Sequence, residues 1–279
     1  MKSVDRLLPL IMILALISVG CNVKDEVTPR RTLLLATTTS TDDSGLLGFL
    51  LPEFTVDTGW SVEYVAVGTG QALELGKNGD VDVVLVHAKE RELDFISQGH
   101  GVGRREIMYN DFVVVGPAKD PAGIRSKTEI SDVFRVLSKE GLTFISRGDN
   151  SGTHIQELQI WELSGTKPGG NWYIEAGQGM GAVLFMAHEM QAYTLTDRGT
   201  WLSIRDKVSL ELLFQGHPQL RNQYGVIAVN PQKYGHVNYE GAMQFIEWLS
   251  GDRGQALINE YGLAQYNQQL FFANYAEGE

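Results

Sequence analysis

Short apolar runs alternate along this chain with longer segments whose apolar positions recur at helical spacing. Leu33 to Ala36 is wholly apolar and ends in four hydroxyl residues, Thr37 to Ser40, which predicts a buried strand running into a polar junction. "DSGLLGFLLPEFTVDTG" carries helical periodicity, with Gly59 as its stop. "SVEYVAVG" alternates as a strand and leads into the short helix "TGQALELGKNGD". In "VDVVLVHA" the run Val83 to Val86 is wholly apolar and mostly β-branched, as expected of a parallel strand covered on both faces. The order strand, helix, strand, helix, strand predicts an α/β layer architecture, with ligands outside the carboxyl ends of the strands.

After the apolar strand "IMYNDFVVVGP" the pattern restarts. "LTFISRGD", "WYIEAG", the start of "AYTLTDRGTWLSI" and "VSLELLFQG" read as strands; "SGTHIQELQIWELSG" and "MGAVLFMAHEM" read as helices. "NQYGVIAVNP" resembles "YNDFVVVGP": each is an apolar strand led by an Asn-containing turn and ended by Pro. Two such strands are expected to cross between lobes, with Asn110, Gly116 and Gly225 absorbing dihedral change. "YEGAMQFIEWLSG" and "DRGQALINEYG" are amphipathic helices expected to return to the first lobe. The expected boundaries are 32–112 plus 224–279 for one lobe and 113–223 for the other.

The start of the chain stands apart. Lys2 and Arg6 precede an apolar run from Leu7 to Gly20, which reads as a signal-peptide core and is short for a bilayer span. It ends at Cys21, the single cysteine, where lipidation of the first mature residue is expected; Ser18 departs from the usual cleavage box, and a plain signal peptide is the alternative. Residues 22–31 are then a polar tether. An acylated Cys21 leaves no thiol for disulfide, metal or redox chemistry. The formal net charge of −11 argues against a nucleic-acid surface but not against a small anion in a locally positive cleft.

Three strand-to-helix junctions carry the same equipment: Thr37–Ser40, Gly68–Gln71 and Arg147–Thr153. A helix start exposes unpaired amides and partial positive charge, hydroxyls add neutral donors, and glycine allows close backbone approach. Candidate anion-binding residues are therefore Thr38, Thr39, Ser40, Thr69, Gly70, Arg147, Ser151, Gly152 and Thr153. Arg147 supplies a full charge on a planar fork, and Asp149 is expected to orient it. Singly, each junction also reads as an ordinary N-cap; their convergence makes the case. "GTGQALELGKN" fails as a phosphate loop, because Asn78 follows Lys77 where Ser or Thr is required. "RGD" lies between strand and helix rather than on a loop tip. A Ser151/His154 hydrolase lacks a third member and the nucleophile-elbow spacing.

On these residues the chain resembles periplasmic solute-binding proteins of ABC importers. "RGDNSGT" matches the Arg-x-Asp-x-Ser-Gly-Thr motif of their phosphate-binding members. The blocks "ATTTSTDDSGLL", "VGTGQALELG", "DVVLVHA", "FISRGDNSGTH", "WYIEAGQGMG", "YTLTDRGT" and "YGVIAVNP" resemble the tungstate-binding branch more, in the same order over roughly Leu33 to Gly262. The resemblance implies an α/β, two-lobed periplasmic-binding-protein type II fold, with mixed sheets flanked by helices and a ligand cleft between the lobes. It implies no catalysis and no cofactor or metal, only a tetrahedral oxyanion as ligand, tungstate first and molybdate, phosphate or sulfate as alternatives. It also implies an ABC permease as partner, a monomer, and an extracytoplasmic location on a lipid anchor. His87 falls where phosphate binders place an aspartate. A carboxylate there would repel an anion without a proton to share, so its absence favours a fully ionised dianion. Its own role is open between ligand donor and strand-end carbonyl cap, with the cap favoured.

Overall fold

A computed structural model describes residues 31–276; Cys21 and the expected leader lie outside them. The first strand, β1 (Arg31–Thr38), includes Arg31, one residue before the expected start of the fold. It is followed by α1 (Thr39–Asp43), α2 (Leu46–Thr58), β2 (Trp60–Val67), α3 (Thr69–Asn78) and β3 (Val83–Val86). Strand β1 pairs in parallel with both β2 and β3. All four residues of β3 are buried, as its unbroken apolar run requires of a strand covered on both faces. Because the three strands run the same way, their carboxyl ends share one edge of the sheet, where α1, α3 and His87 begin.

Two of the longer helices, α4 (Lys89–Ser97) and α5 (Ile130–Lys139), are not among the elements expected from the sequence. In α4 only Glu92 and Phe95 are buried, so its charge density hides the period. By contrast, α5 buries Ile130, Val133, Phe134 and Leu137, the plain spacing of an amphipathic helix. Between them β4 (Gly101–Pro117) is longer than its apolar half suggests, because Arg104, Arg105 and Glu106 lie in its polar first half.

The later elements are β5 (Phe144–Ser146), α6 (Gly152–Leu163), β6 (Tyr173–Glu175), α7 (Met180–Met190), β7 (Thr194–Asp197) and α8 (Arg198–Ile204). They are followed by β8 (Leu210–Phe214), β9 (Arg221–Val229), α9 (Tyr239–Ser250), α10 (Asp252–Glu260), α11 (Leu263–Tyr266) and β10 (Phe272–Ala273). The main sheet runs β10-β4-β9-β3-β1-β2. Strand β4 changes company along its length: Gly101 to Asp111 pairs with β9, and Phe112 to Pro117 pairs with β7 and β8. Its apolar half is buried on both faces, Val113 and Val115 in one cluster and Phe112 and Val114 in another. At the changeover the Asp111 carboxylate accepts two bonds from buried Arg198, at 2.6 and 2.5 Å.

The first cluster joins β1, α2 and the returning α9, where Phe54 meets Phe245 and Trp248 edge-on at 5.1 and 5.5 Å. Each such ring contributes about 1.5–3 kcal/mol through burial. The second cluster gathers Phe134, Phe144 and Trp161, which seats β5 and α6 against each other. Gly116 and Gly225 serve close approach instead of a special dihedral. A Cβ on Gly116 would lie 2.5 Å from the Tyr193 ring, and one on Gly225 would lie 2.1 Å from Glu92 Oε2.

Candidate functional site

The three junctions open onto one cleft of about 970 Å³. Its lining includes Thr38, Thr39, Ser40, Thr69, Gly70, Arg147, Ser151, Gly152 and Thr153, so all nine candidate residues are brought together. Of the four hydroxyl residues closing β1, Thr37 is turned away: it is fully buried and donates to the Leu85 carbonyl at 2.8 Å. Thr38 caps α1, its Oγ1 accepting from the Thr41 amide at 3.2 Å, while Thr39 and Ser40 are exposed to the cleft. At α3 the N-cap Gly68 offers no side-chain bond, which leaves the first-turn amides to solvent or a ligand.

The third junction is a built loop. Gly148 and Asn150 adopt left-handed dihedrals, φ 61° and 58°. Arg147 donates through Nε and Nη2 to Asp149 Oδ2 at 3.0 and 2.7 Å, and Asp149 Oδ1 accepts the Ser151 amide at 3.1 Å. Burial pushes the Asp149 carboxyl up, but the bonds from Ser151 and Arg147 outweigh it and hold the group below its ordinary value. Asp149 therefore stays ionised and fixes the guanidinium, leaving Nη1 free to donate. Ser151 Oγ caps α6 by accepting from the His154 amide at 3.3 Å.

The imidazole of His154 is engaged elsewhere: its Nδ1 accepts the Asn150 amide at 3.0 Å and its Nε2 is buried without a partner. No bond joins Ser151 Oγ to that ring, so the nucleophile–base pair of a hydrolase is not formed. His154 instead holds Asn150 in the turn that aims Arg147.

The His87 ring is held mainly by side chains, with a lesser bond to its own strand-end carbonyl, the role favoured from the sequence. Its Nε2 lies 3.0 Å from both Thr38 Oγ1 and Ser40 Oγ, and its Nδ1 lies 3.1 Å from Asn222 Oδ1. Asn222 in turn donates to Asn110 Oδ1 at 2.8 Å. Burial drives the imidazole pKa down to about 4, against the Asn222 bond that raises it, so the ring is neutral at pH 7. Antiparallel pairing of Val86 with Gly225 carries the start of β9 past the end of β3, and this register puts Asn222 beside His87. On the other side, His87 Cε1 lies 3.3 Å from where a Gly152 Cβ would stand. The ring thus bridges the β1–α1 junction, the paired strands β4 and β9, and the start of α6. Asn110, Asn222 and Arg221 also line the cleft and carry no local motif; only the strand register brings them there.

A mixed sheet with parallel βα units opening onto a polar cleft, and one long strand, β4, that pairs with both sets of strands, is the architecture of a solute-binding protein. The chain belongs to the PBP superfamily, whose domain profile matches residues 24–253. It is 47% identical to the tungstate-binding protein TupA of Peptoclostridium acidaminophilum, over 99% of this chain and 100% of that protein. Among solved structures, the tungstate-binding protein TupA from Desulfovibrio alaskensis G20 is similar at TM-score 0.83 and 40% identity, over 88% of this chain and 100% of that one. The tungstate ABC transporter structure from Geobacter sulfurreducens is similar at TM-score 0.72 and 53% identity, over 82% and 98%.

Proposed function

We propose that this chain binds a tetrahedral dianion, tungstate, in the cleft and delivers it to the membrane permease of an ABC importer. The observation that carries the reading is the convergence of three donor-rich strand-to-helix junctions on one cleft. In this reading Thr39, Ser40, Thr69 and Ser151 donate hydroxyl hydrogens, and the first-turn amides near Gly70, Gly152 and Thr153 donate from the backbone. Arg147 adds a charged fork oriented by Asp149, while Thr38 shapes the α1 start. A dianion leaving water needs nearly all its oxygens bonded. With about 0.5–1.5 kcal/mol net per bond, and more for charged partners, roughly seven to nine donors account for tight binding. The TupA relatives, named for tungstate, support the choice of cargo. Cleft closure between lobes divided near 112 and 223, a monomeric state, and an extracytoplasmic location through lipidated Cys21 complete the proposal.

Thermal melting with tungstate, molybdate, sulfate and phosphate tests it. A ligand at one hundred times its Kd stabilises the fold by about 2.7 kcal/mol. Tungstate is expected to raise the melting temperature at concentrations where phosphate and sulfate do not. A shift with phosphate and none with tungstate would overturn the assignment.

A further inference from the structure

Arg91 sits on the first turn of α4, on the wall of the same cleft, and its side chain is exposed. Its Nη1 lies 3.8 Å from the point a Cβ on Gly70 would occupy. A guanidinium is thus positioned over the start of α3, where the amides of Thr69 and Gly70 lack helical partners.

The charges around the cleft give that position its meaning. Arg147 is matched by Asp149 at 2.7 Å and Lys89 by Glu106 at 2.9 Å. Arg221 lies over the Tyr109 ring at 4.9 Å. Asp43 and Glu90 face the cleft as carboxylates, and Asp197 is held by the Thr200 amide and hydroxyl at 2.8 and 2.7 Å. The Arg147–Asp149 pair therefore offers a dianion good donor geometry but almost no net charge. Among the described residues lining the cleft, Arg91 is the cation that neither a carboxylate nor a ring engages.

We propose that Arg91 is a second cationic ligand, seated over the Gly70 junction, and that it makes the site prefer a doubly charged tetrahedral anion over a singly charged one of the same shape. The inference rests on the oxyanion reading above. Gly70 suits the arrangement, since a longer side chain would fill the space between the amides and the guanidinium.

Perrhenate, a tetrahedral anion like tungstate but with one charge, is the probe. Calorimetric titrations of wild type, Arg91→Gln and Arg91→Lys with sodium tungstate and sodium perrhenate would read the two affinities. Loss of a charge-assisted contact should weaken tungstate about tenfold or more in Arg91→Gln, and perrhenate markedly less, so that the tungstate-to-perrhenate ratio falls. Arg91→Lys should keep most of the ratio, and the unliganded melting temperature should not move, because the side chain has no partner to lose. Tungstate binding by wild type with an unchanged ratio in Arg91→Gln would overturn the role of Arg91 alone. A wild-type chain that binds no tungstate would overturn the oxyanion reading and this inference with it.

Discussion

Replacing Arg147 with alanine should weaken tungstate binding by more than one lost hydrogen bond, because the substitution also strands Asp149. The carboxylate would keep its bond from the Ser151 amide at 3.1 Å but lose the guanidinium that neutralises it at 2.7 Å. Removing one partner of a charge pair that the bound ligand desolvates costs about 2–5 kcal/mol of binding, roughly thirtyfold to several-thousandfold in Kd. Part of that loss is repulsion from Asp149, so Arg147→Ala combined with Asp149→Asn should bind better than Arg147→Ala alone, by about 1 kcal/mol or more. Arg147→Lys, which keeps charge without the fork, should lose less. The unliganded fold should hardly notice, since a pair with side chains 22% and 24% exposed contributes about 0–1 kcal/mol. Calorimetry with all four proteins measures the cycle. An alanine variant within threefold of wild type, or a double variant no better than the single, would refute the reasoning.

Three further outcomes follow from the geometry. His87 has a folded pKa near 4, below the ordinary value of 6.5, so the unfolded chain takes up its proton first as pH falls. Stability should therefore decline from about pH 6.5 to pH 4 by up to about 3 kcal/mol, and His87→Gln should flatten that decline in urea melts; identical slopes would contradict it. Ser40→Ala and Thr69→Ala should each weaken tungstate by about 1 kcal/mol as neutral donors, measured by calorimetry, and no change in either would remove that hydroxyl from the site. Gly225→Ala should destabilise the fold by about 1–3 kcal/mol, because the new Cβ would meet buried Glu92; an unchanged melting temperature would show that Glu92 can yield.

The three junctions were legible because their chemistry is local: hydroxyls, glycine and Arg147 lie within a few residues of a strand end. The turn of Thr37 away from the cleft could not be read from alternation alone; its bond to Leu85 across the β1–β3 ladder decides it. His87, Asn110 and Asn222 meet through register between strands more than a hundred residues apart, which leaves no trace in sequence spacing. Arg91 stayed hidden for a different reason. Helix α4 is charged on most of its surface, so the one arginine over Gly70 looks like ordinary solvated charge until α4 is packed beside α3. Helix α5 is the opposite case, a clear apolar stripe that pattern reading alone could have found.

Tungsten anomalous diffraction from crystals grown with sodium tungstate tests the central claim most directly. The expected result is one tungsten in the cleft, its oxygens within about 2.7–3.2 Å of donors from the Ser40, Thr69–Gly70 and Arg147–Thr153 junctions. Tungsten bound outside the cleft, or inside it but touching only one junction, would contradict the account.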